Sequence, residues 1–235
     1  MIRVEAENGV RTVTLDRPER RNAVTPAALE SLSEAVAGAD APVVYLRGAG
    51  EAFCAGADRS VVADVAAGGA EAVEPFVRLG QATANAIESA SSVVVAGIDG
   101  PARGGGVKLA LACDLRVATP AATFAEPGVS FGLFGAWGGT VRLPEVVGLG
   151  DAMDLSLSGR VVDASTALRM GLVSRVVDDP GTVAAALADN DRLAMAHLKR
   201  RLRDRGSKEA REDAEVAAFR DLVASHADDH RKFDG

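Results

Sequence analysis

The chain has 235 residues, 48% of them apolar, and carries 26 Lys plus Arg against 33 Asp plus Glu, for a formal net charge of −7. That apolar content excludes a disordered chain, and the 25 glycines, without a triplet period, exclude collagen. An acidic balance argues against nucleic acid, whose phosphates need a cationic surface, so basic groups that meet an anionic ligand must be local. The two cysteines, Cys54 and Cys113, are too few for a disulfide framework and lie in apolar stretches, the pattern of a reducing compartment. The opening MIRVEAENGV has no signal core, and charges interrupt each apolar run before it reaches membrane-spanning length. The expectation is a cytoplasmic protein with no membrane partner.

Along the chain, Ile2 to Leu15 alternates apolar and polar about Asn8-Gly9, a hairpin signal. Thr25-Pro26 reads as an N-cap and first helical residue, and Leu29, Leu32 and Val36 follow at helical spacing until Gly38. Val43 to Leu46 reads as a buried strand, followed by a Gly- and Ala-rich loop from Gly48 to Asp58. The spacing predicts a helix from about Glu71 to Ser89, with Phe76, Val77, Thr83, Ala84 and Ile87 inward. The pattern then recurs: a strand at Val93–Val95, a glycine-rich turn from Gly100 to Gly106, an all-round apolar helix from Val107 to Cys113, and a strand from Leu115. Asp163 caps a short helix ending at Gly171, Val173 to Val177 forms a last strand, and the remainder is helical and charged. Strands and helices alternate, which argues an α/β fold with right-handed crossovers.

Both glycine-rich turns follow a buried strand, and the second opens a helix. Backbone N–H groups there point outward at the positive end of the macrodipole. Two such donors fixed before reaction can stabilise an oxyanion forming on a thioester or ester oxygen. The G-x-G-x-x-G spacing of a dinucleotide site is absent, and no Lys-Ser/Thr follows to make a phosphate-binding P-loop.

The segments Asp16 to Val24, Gly48 to Asp58, Ile98 to Gly106, Ala112 to Leu115, Gly138 to Pro144, Ser158 to Arg160 and Gly171 to Val177 together resemble, in order, the motifs of the crotonase (enoyl-CoA hydratase/isomerase) superfamily. The resemblance covers roughly residues 2 to 178. It implies a spiral of ββα units over residues 1–178 and a short helical region, 179–235, used in trimerisation, giving a homotrimer or a dimer of trimers. It also implies an acyl-CoA thioester as ligand, with coenzyme A as part of the substrate and no separate cofactor or metal. By position, the oxyanion donors fall on the N–H groups of Ala55 and Gly105, with Gly104, Ala57 and Asp58 beside them. Arg20 or Arg21 meets the CoA phosphates and the Ala23 backbone the adenine, so these arginines are the local basic groups that the net charge requires.

The chain also departs from that pattern. Hydratases of the family use two glutamates to hold and split water, one as base and one as acid. Their positions here are occupied by Lys108 and Gly128, and neither can replace a carboxylate. A two-glutamate hydration mechanism is therefore excluded, whereas isomerisation, thioester hydrolysis or decarboxylation, and acyl-CoA binding without turnover, stay open. Glu126 is the nearest remaining carboxylate, either catalytic or a partner of Lys108 or Arg103. Lys108 itself either pairs with Glu126 or faces a second carboxylate on the acyl group. Trp137, Phe131 and Phe134 shape the acyl pocket. Cys54 is no Cys-His nucleophile, since no histidine precedes His197. The stretch after Val177 is shorter than usual in the family; the basic run from Lys199 to Arg205 reads as a solvated face or subunit contact, and Arg231-Lys232-Phe233 resembles a terminal segment that reaches a neighbouring CoA.

Overall fold

The computed structural model describes residues 1–227, so the Arg231-Lys232-Phe233 segment lies outside the described residues. The hairpin pairs β1 (Ile2–Glu7) antiparallel with β2 (Val10–Leu15). Asn8 (φ 48°) and Gly9 (φ 76°) are both left-handed, the geometry of a two-residue turn whose twist matches its strands. Helix α1 (Pro26–Ala37) starts on Thr25, whose hydroxyl accepts the Ala28 N–H, and buries Ala28, Leu29, Leu32, Ala35 and Val36. Strand β3 (Val43–Gly48) follows, then α2 (Arg59–Ala67), α3 (Ala70–Ser89) and β4 (Val93–Ile98). The sequence pattern assigns no element to the segment that forms α2, between the loop ending at Asp58 and the helix expected from about Glu71. This helix buries no residue, so only its N-cap, Asp58, marks it.

Next come β5 (Pro101–Arg103), α4 (Gly105–Ala112), β6 (Leu115–Ala118) and β7 (Thr123–Ala125). A 3-10 turn at Pro127–Phe131 leads to α5 (Gly139–Ser158), which is broken at Gly148 (φ 78°, ψ 161°). Two-residue strand β8 (Val162–Asp163), helix α6 (Ala164–Arg169), capped by Asp163, and two-residue strand β9 (Arg175–Val176) follow, β9 being shorter than the Val173–Val177 reading.

Six strands form one sheet in the order β1-β2-β3-β4-β6-β9, parallel from β2 onward; β5, β7 and β8 form a second, small sheet. The chain divides into two compact units, Met1–Ala188 and one that begins at Asp189. Helix α7 (Pro180–Ala188) packs on β3 and β4 and belongs to the first unit. The second contains α8 (Arg192–Arg203) and α9 (Lys208–Ser225), joined where the His226 ring meets Asp191 Oδ2 at 3.0 Å.

The core of the first unit runs from Val13 and Leu15 through Leu46, Phe53, Ile98, Leu109 and Phe124 to Leu172. Helix α4 lies within it, buried from Gly106 to Ala112, so its half-buried N-terminus at Gly104 and Gly105 is the end at which a ligand can meet the backbone. Among the described residues, no helix is long and apolar enough to cross a membrane.

Candidate functional site

The site assembles where the loop after β3 meets the N-terminus of α4. Arg21 (φ 50°) and Asn22 (φ 56°) are consecutive left-handed residues, an uncommon conformation that the surroundings must hold in place. Asn22 holds it: buried to 2% exposure, its amide donates to the carbonyls of Ala49 (2.8 Å) and Ala52 (2.7 Å) and its Oδ1 accepts the Arg17 N–H (3.0 Å). The bend turns the Arg21 carbonyl toward Ala55, whose N–H donates to it at 2.9 Å. This corrects the expectation for Ala55: its N–H is already used inside the fold and cannot serve an oxyanion.

The adjacent alternation supplies the donor instead. Val24 and Ala57 form a parallel bridge in which the Val24 N–H donates to the Gly56 carbonyl (2.8 Å) and the Asp58 N–H to the Val24 carbonyl (2.9 Å). Consecutive N–H groups of extended backbone point to opposite sides, so the Ala57 N–H faces away from Val24. It has no acceptor among the described residues, and neither does the Gly105 N–H in the first turn of α4, where helix geometry leaves donors unpaired. The two segments touch through glycine: a Cβ on Gly56 (φ 89°) would fall 2.9 Å from Gly105 N and 2.8 Å from the Arg103 carbonyl. Only glycine permits that approach. Gly104, at φ 49°, donates its N–H to the Ala125 carbonyl (3.1 Å) and anchors the turn to β7.

Behind Gly105 stands Trp137, buried, its Cζ3 2.5 Å from where a Gly105 Cβ would be and its Cδ1 2.2 Å from that of Gly80. Phe76 meets its ring edge-on at 5.5 Å between centroids, and Gln81 holds the Ala136 carbonyl at 3.0 Å. One turn into α4, Lys108 and Glu126 form a buried ion pair, with side chains 3% and 7% exposed. The pairing decides two alternatives at once: the Lys108 amine is taken by Glu126, and Arg103 instead caps β7 through the Thr123 carbonyl (2.7 Å) and hydroxyl (2.9 Å). The lysine stem lies where Cβ atoms on Gly135 and Gly139 would sit. Burial pushes the Glu126 carboxyl above its ordinary range against the opposing pull of Lys108, and Oε1 has no hydrogen-bond partner. A Cβ on Gly128 would lie 3.0 Å from the Leu133 carbonyl oxygen, a tight contact that a larger residue could take only with a small shift of that loop.

The other expected residues fall into distinct roles. Asp58 is the N-cap of α2: its Oδ1 accepts the Ser60 N–H (2.9 Å) and hydroxyl (2.8 Å), and its Oδ2 meets Arg17 Nη1 at 2.5 Å. Those Ser60 bonds, and then Arg17, lower its carboxyl to about 2. Arg20 and Arg21 are exposed and held by no ion pair among the described residues, and Ala23 is half-buried between them and the core. Burial, and then Arg21 nearby, push the Arg103 guanidinium down, so cationic charge gathers on this rim. Phe131 is exposed with the Arg59 guanidinium 5.6 Å from its centroid. Burial pushes the Cys54 thiol up to about 12, and it donates to the Asn22 carbonyl at 3.2 Å, so it is structural.

A β-sheet spiral whose buried helix offers its N-terminus beside a glycine-lined loop is the architecture of the crotonase fold. The chain belongs to the enoyl-CoA hydratase/isomerase family, whose model matches residues 5–232. It is 38% identical over 214 residues to the probable enoyl-CoA hydratase echA6 of Mycobacterium tuberculosis, covering 89% of this chain and 85% of that one. It is also 38% identical over 179 residues to the crotonyl-CoA hydratase of Syntrophomonas wolfei, covering 74% of this chain and 68% of that one. An enoyl-CoA hydratase structure from Bacillus anthracis superposes with a TM-score of 0.88 at 30% identity, covering 95% of this chain and 91% of that one. A hydratase homologue of Thermobifida fusca, solved with acetoacetyl-CoA, superposes with a TM-score of 0.84 at 25% identity and 95% coverage of each chain.

Proposed function

We propose that this site binds an acyl-CoA thioester and stabilises negative charge on its carbonyl oxygen through the N–H groups of Ala57 and Gly105. The observation that carries the reading is the pair of backbone donors, both without an acceptor, brought together by the Gly56–Gly105 contact. Arg20 and Arg21 on the exposed rim suit the CoA phosphates. The bound acetoacetyl-CoA of the Thermobifida fusca homologue supports the same ligand class. Coenzyme A enters as part of the substrate.

The chemistry follows from what the site contains. With Lys108 and Gly128 at the two glutamate positions, water cannot be held between an acid and a base, and hydration by that route is lost. A thioester enolate needs only the oxyanion donors and one proton carrier. Glu126 is that carrier: burial raises its carboxyl, and its Oε1 is unpartnered. An α-proton passes to Glu126 while the electron pair moves to the thioester oxygen, and return of the proton at another carbon isomerises the double bond. A second reading, binding without turnover, is favoured by the ion pair that engages the other carboxylate oxygen.

Calorimetric titration with a saturated acyl-CoA, run beside an absorbance assay with enoyl-CoA, tests both. Binding with isomerisation that disappears in Glu126→Gln supports the first reading, and binding with no turnover of any thioester supports the second. Fast hydration that survives Glu126→Gln would overturn the acid/base assignment. Failure of every CoA ester to bind would overturn the function itself.

A further inference from the structure

We infer that the acyl group taken here is a medium to long hydrocarbon chain that leaves the thioester outward, over Phe131 and Phe134, instead of inward along α4. The inference rests on the acyl-CoA reading above. Its first ground is that the interior side of the donors is filled. The Trp137 indole occupies the space against Gly105 and Gly80, the Lys108 stem fills that against Gly135 and Gly139, and the Cys54 carbonyl lies 2.3 Å from the position of a Gly106 Cβ. The buried Lys108–Glu126 ion pair on α4 further disfavours an apolar tail on that route, because a hydrocarbon there would displace the contacts that compensate two desolvated charges.

The second ground is the apolar surface on the outward side. Val129, Phe131, Leu133 and Phe134 are 41%, 61%, 53% and 72% exposed, in a segment punctuated by Gly128, Gly132 and Gly135. Large exposed side chains at this density mark a surface that something apolar covers. Its position names the occupant. Arg59, two residues beyond Ala57 of the Val24–Ala57 bridge, lies over the Phe131 ring, so the apolar segment sits beside the extended segment that carries one oxyanion donor. Helix α2 begins at that arginine and leaves Val61, Val62 and Val65 only half-buried, so further apolar surface lies on the helix that starts there. A chain attached to a carbonyl held at Ala57 and Gly105 has the exposed Phe131 side as its open exit.

Trp137, the single tryptophan, is a built-in reporter, since it touches Gly105. Fluorescence titrations with CoA, butanoyl-CoA and dodecanoyl-CoA should give a Kd for dodecanoyl-CoA about tenfold or more below that for butanoyl-CoA, because each buried methylene adds favourable transfer free energy. The Phe131→Ser/Phe134→Ser variant changes only exposed side chains and should bring that ratio toward unity, with circular dichroism reporting the fold. Equal affinity for the two esters in the native chain, or a ratio that persists in the variant, would overturn the inference. So would a variant that falls to a smaller oligomer in sedimentation with the ratio intact, which would assign the phenylalanines to another copy of the chain. If butanoyl-CoA itself does not bind, the acyl-CoA reading fails first, and the two failures are told apart.

Discussion

Lys108 brings a positive charge into a helix buried on all sides, and Glu126 is the group that makes this tolerable. Removing one member of such a pair leaves the other desolvated, at a cost of about 3–5 kcal/mol, whereas replacing both with apolar residues of similar volume is often neutral. Lys108→Met should therefore lower the urea midpoint sharply, and Lys108→Met/Glu126→Met should recover most of the loss. A double variant as unstable as the single one would show that the lysine stem, packed between Gly135 and Gly139, matters more than the charge. The same packing opposes putting glutamates at the two positions. Lys108→Glu sets two carboxylates together out of water, and Gly128→Glu drives a Cβ to 3.0 Å from the Leu133 carbonyl. Cys54 invites a simpler check: buried, with its thiol raised to about 12, it should resist a thiol reagent in the native protein and react on unfolding.

At the scale of elements, legibility followed local chemistry. The hairpin was readable because Asn8-Gly9 supplies both left-handed residues, and α1 because Thr25-Pro26 supplies cap and first turn. Strands β5, β7 and β8, of two or three residues, were not, since their pairing depends on chain distant in sequence. The donor at Ala57 was hidden for a related reason: which N–H is free depends on the Arg21 carbonyl, and that on the left-handed Arg21-Asn22 bend. Helix α2 shows the opposite balance, having a cap and no buried face. Its attachment should depend on pH through Asp58. The folded carboxyl titrates at about 2, below the ~3.9 of an unstructured aspartate, so its contribution is present above about pH 4 and is lost as pH falls toward 2. Asp58→Asn lacks that contribution at neutral pH. The Tm difference between native chain and variant should be largest near neutrality and shrink between pH 4 and 2; a constant difference would assign the effect to shape instead of charge.

The whole molecule carries its departures in one connected region and its apolar excess on another. Lys108 pairs with Glu126 and packs on Gly135 and Gly139, while Trp137 packs on Gly105 at the start of the same helix, so the altered chemistry is a property of packed neighbours around α4. On the same unit, Leu149, Met153 and Leu157 stand at helical i, i+4 spacing on α5 at 65%, 50% and 69% exposure, with Val141 at 62% and Val161 at 57%. An apolar row of this kind is unfavourable in water and is the surface a symmetric assembly covers. The homotrimer implied by the family resemblance would bury it in copies of the chain. Sedimentation at micromolar concentration should then give a species of three chains, or of six for a dimer of trimers. Leu149→Lys/Met153→Lys, confined to exposed positions, should shift that species toward monomer while circular dichroism stays unchanged. A native chain that sediments as a monomer, or a trimer indifferent to both lysines, would mean that this row faces something other than a second copy.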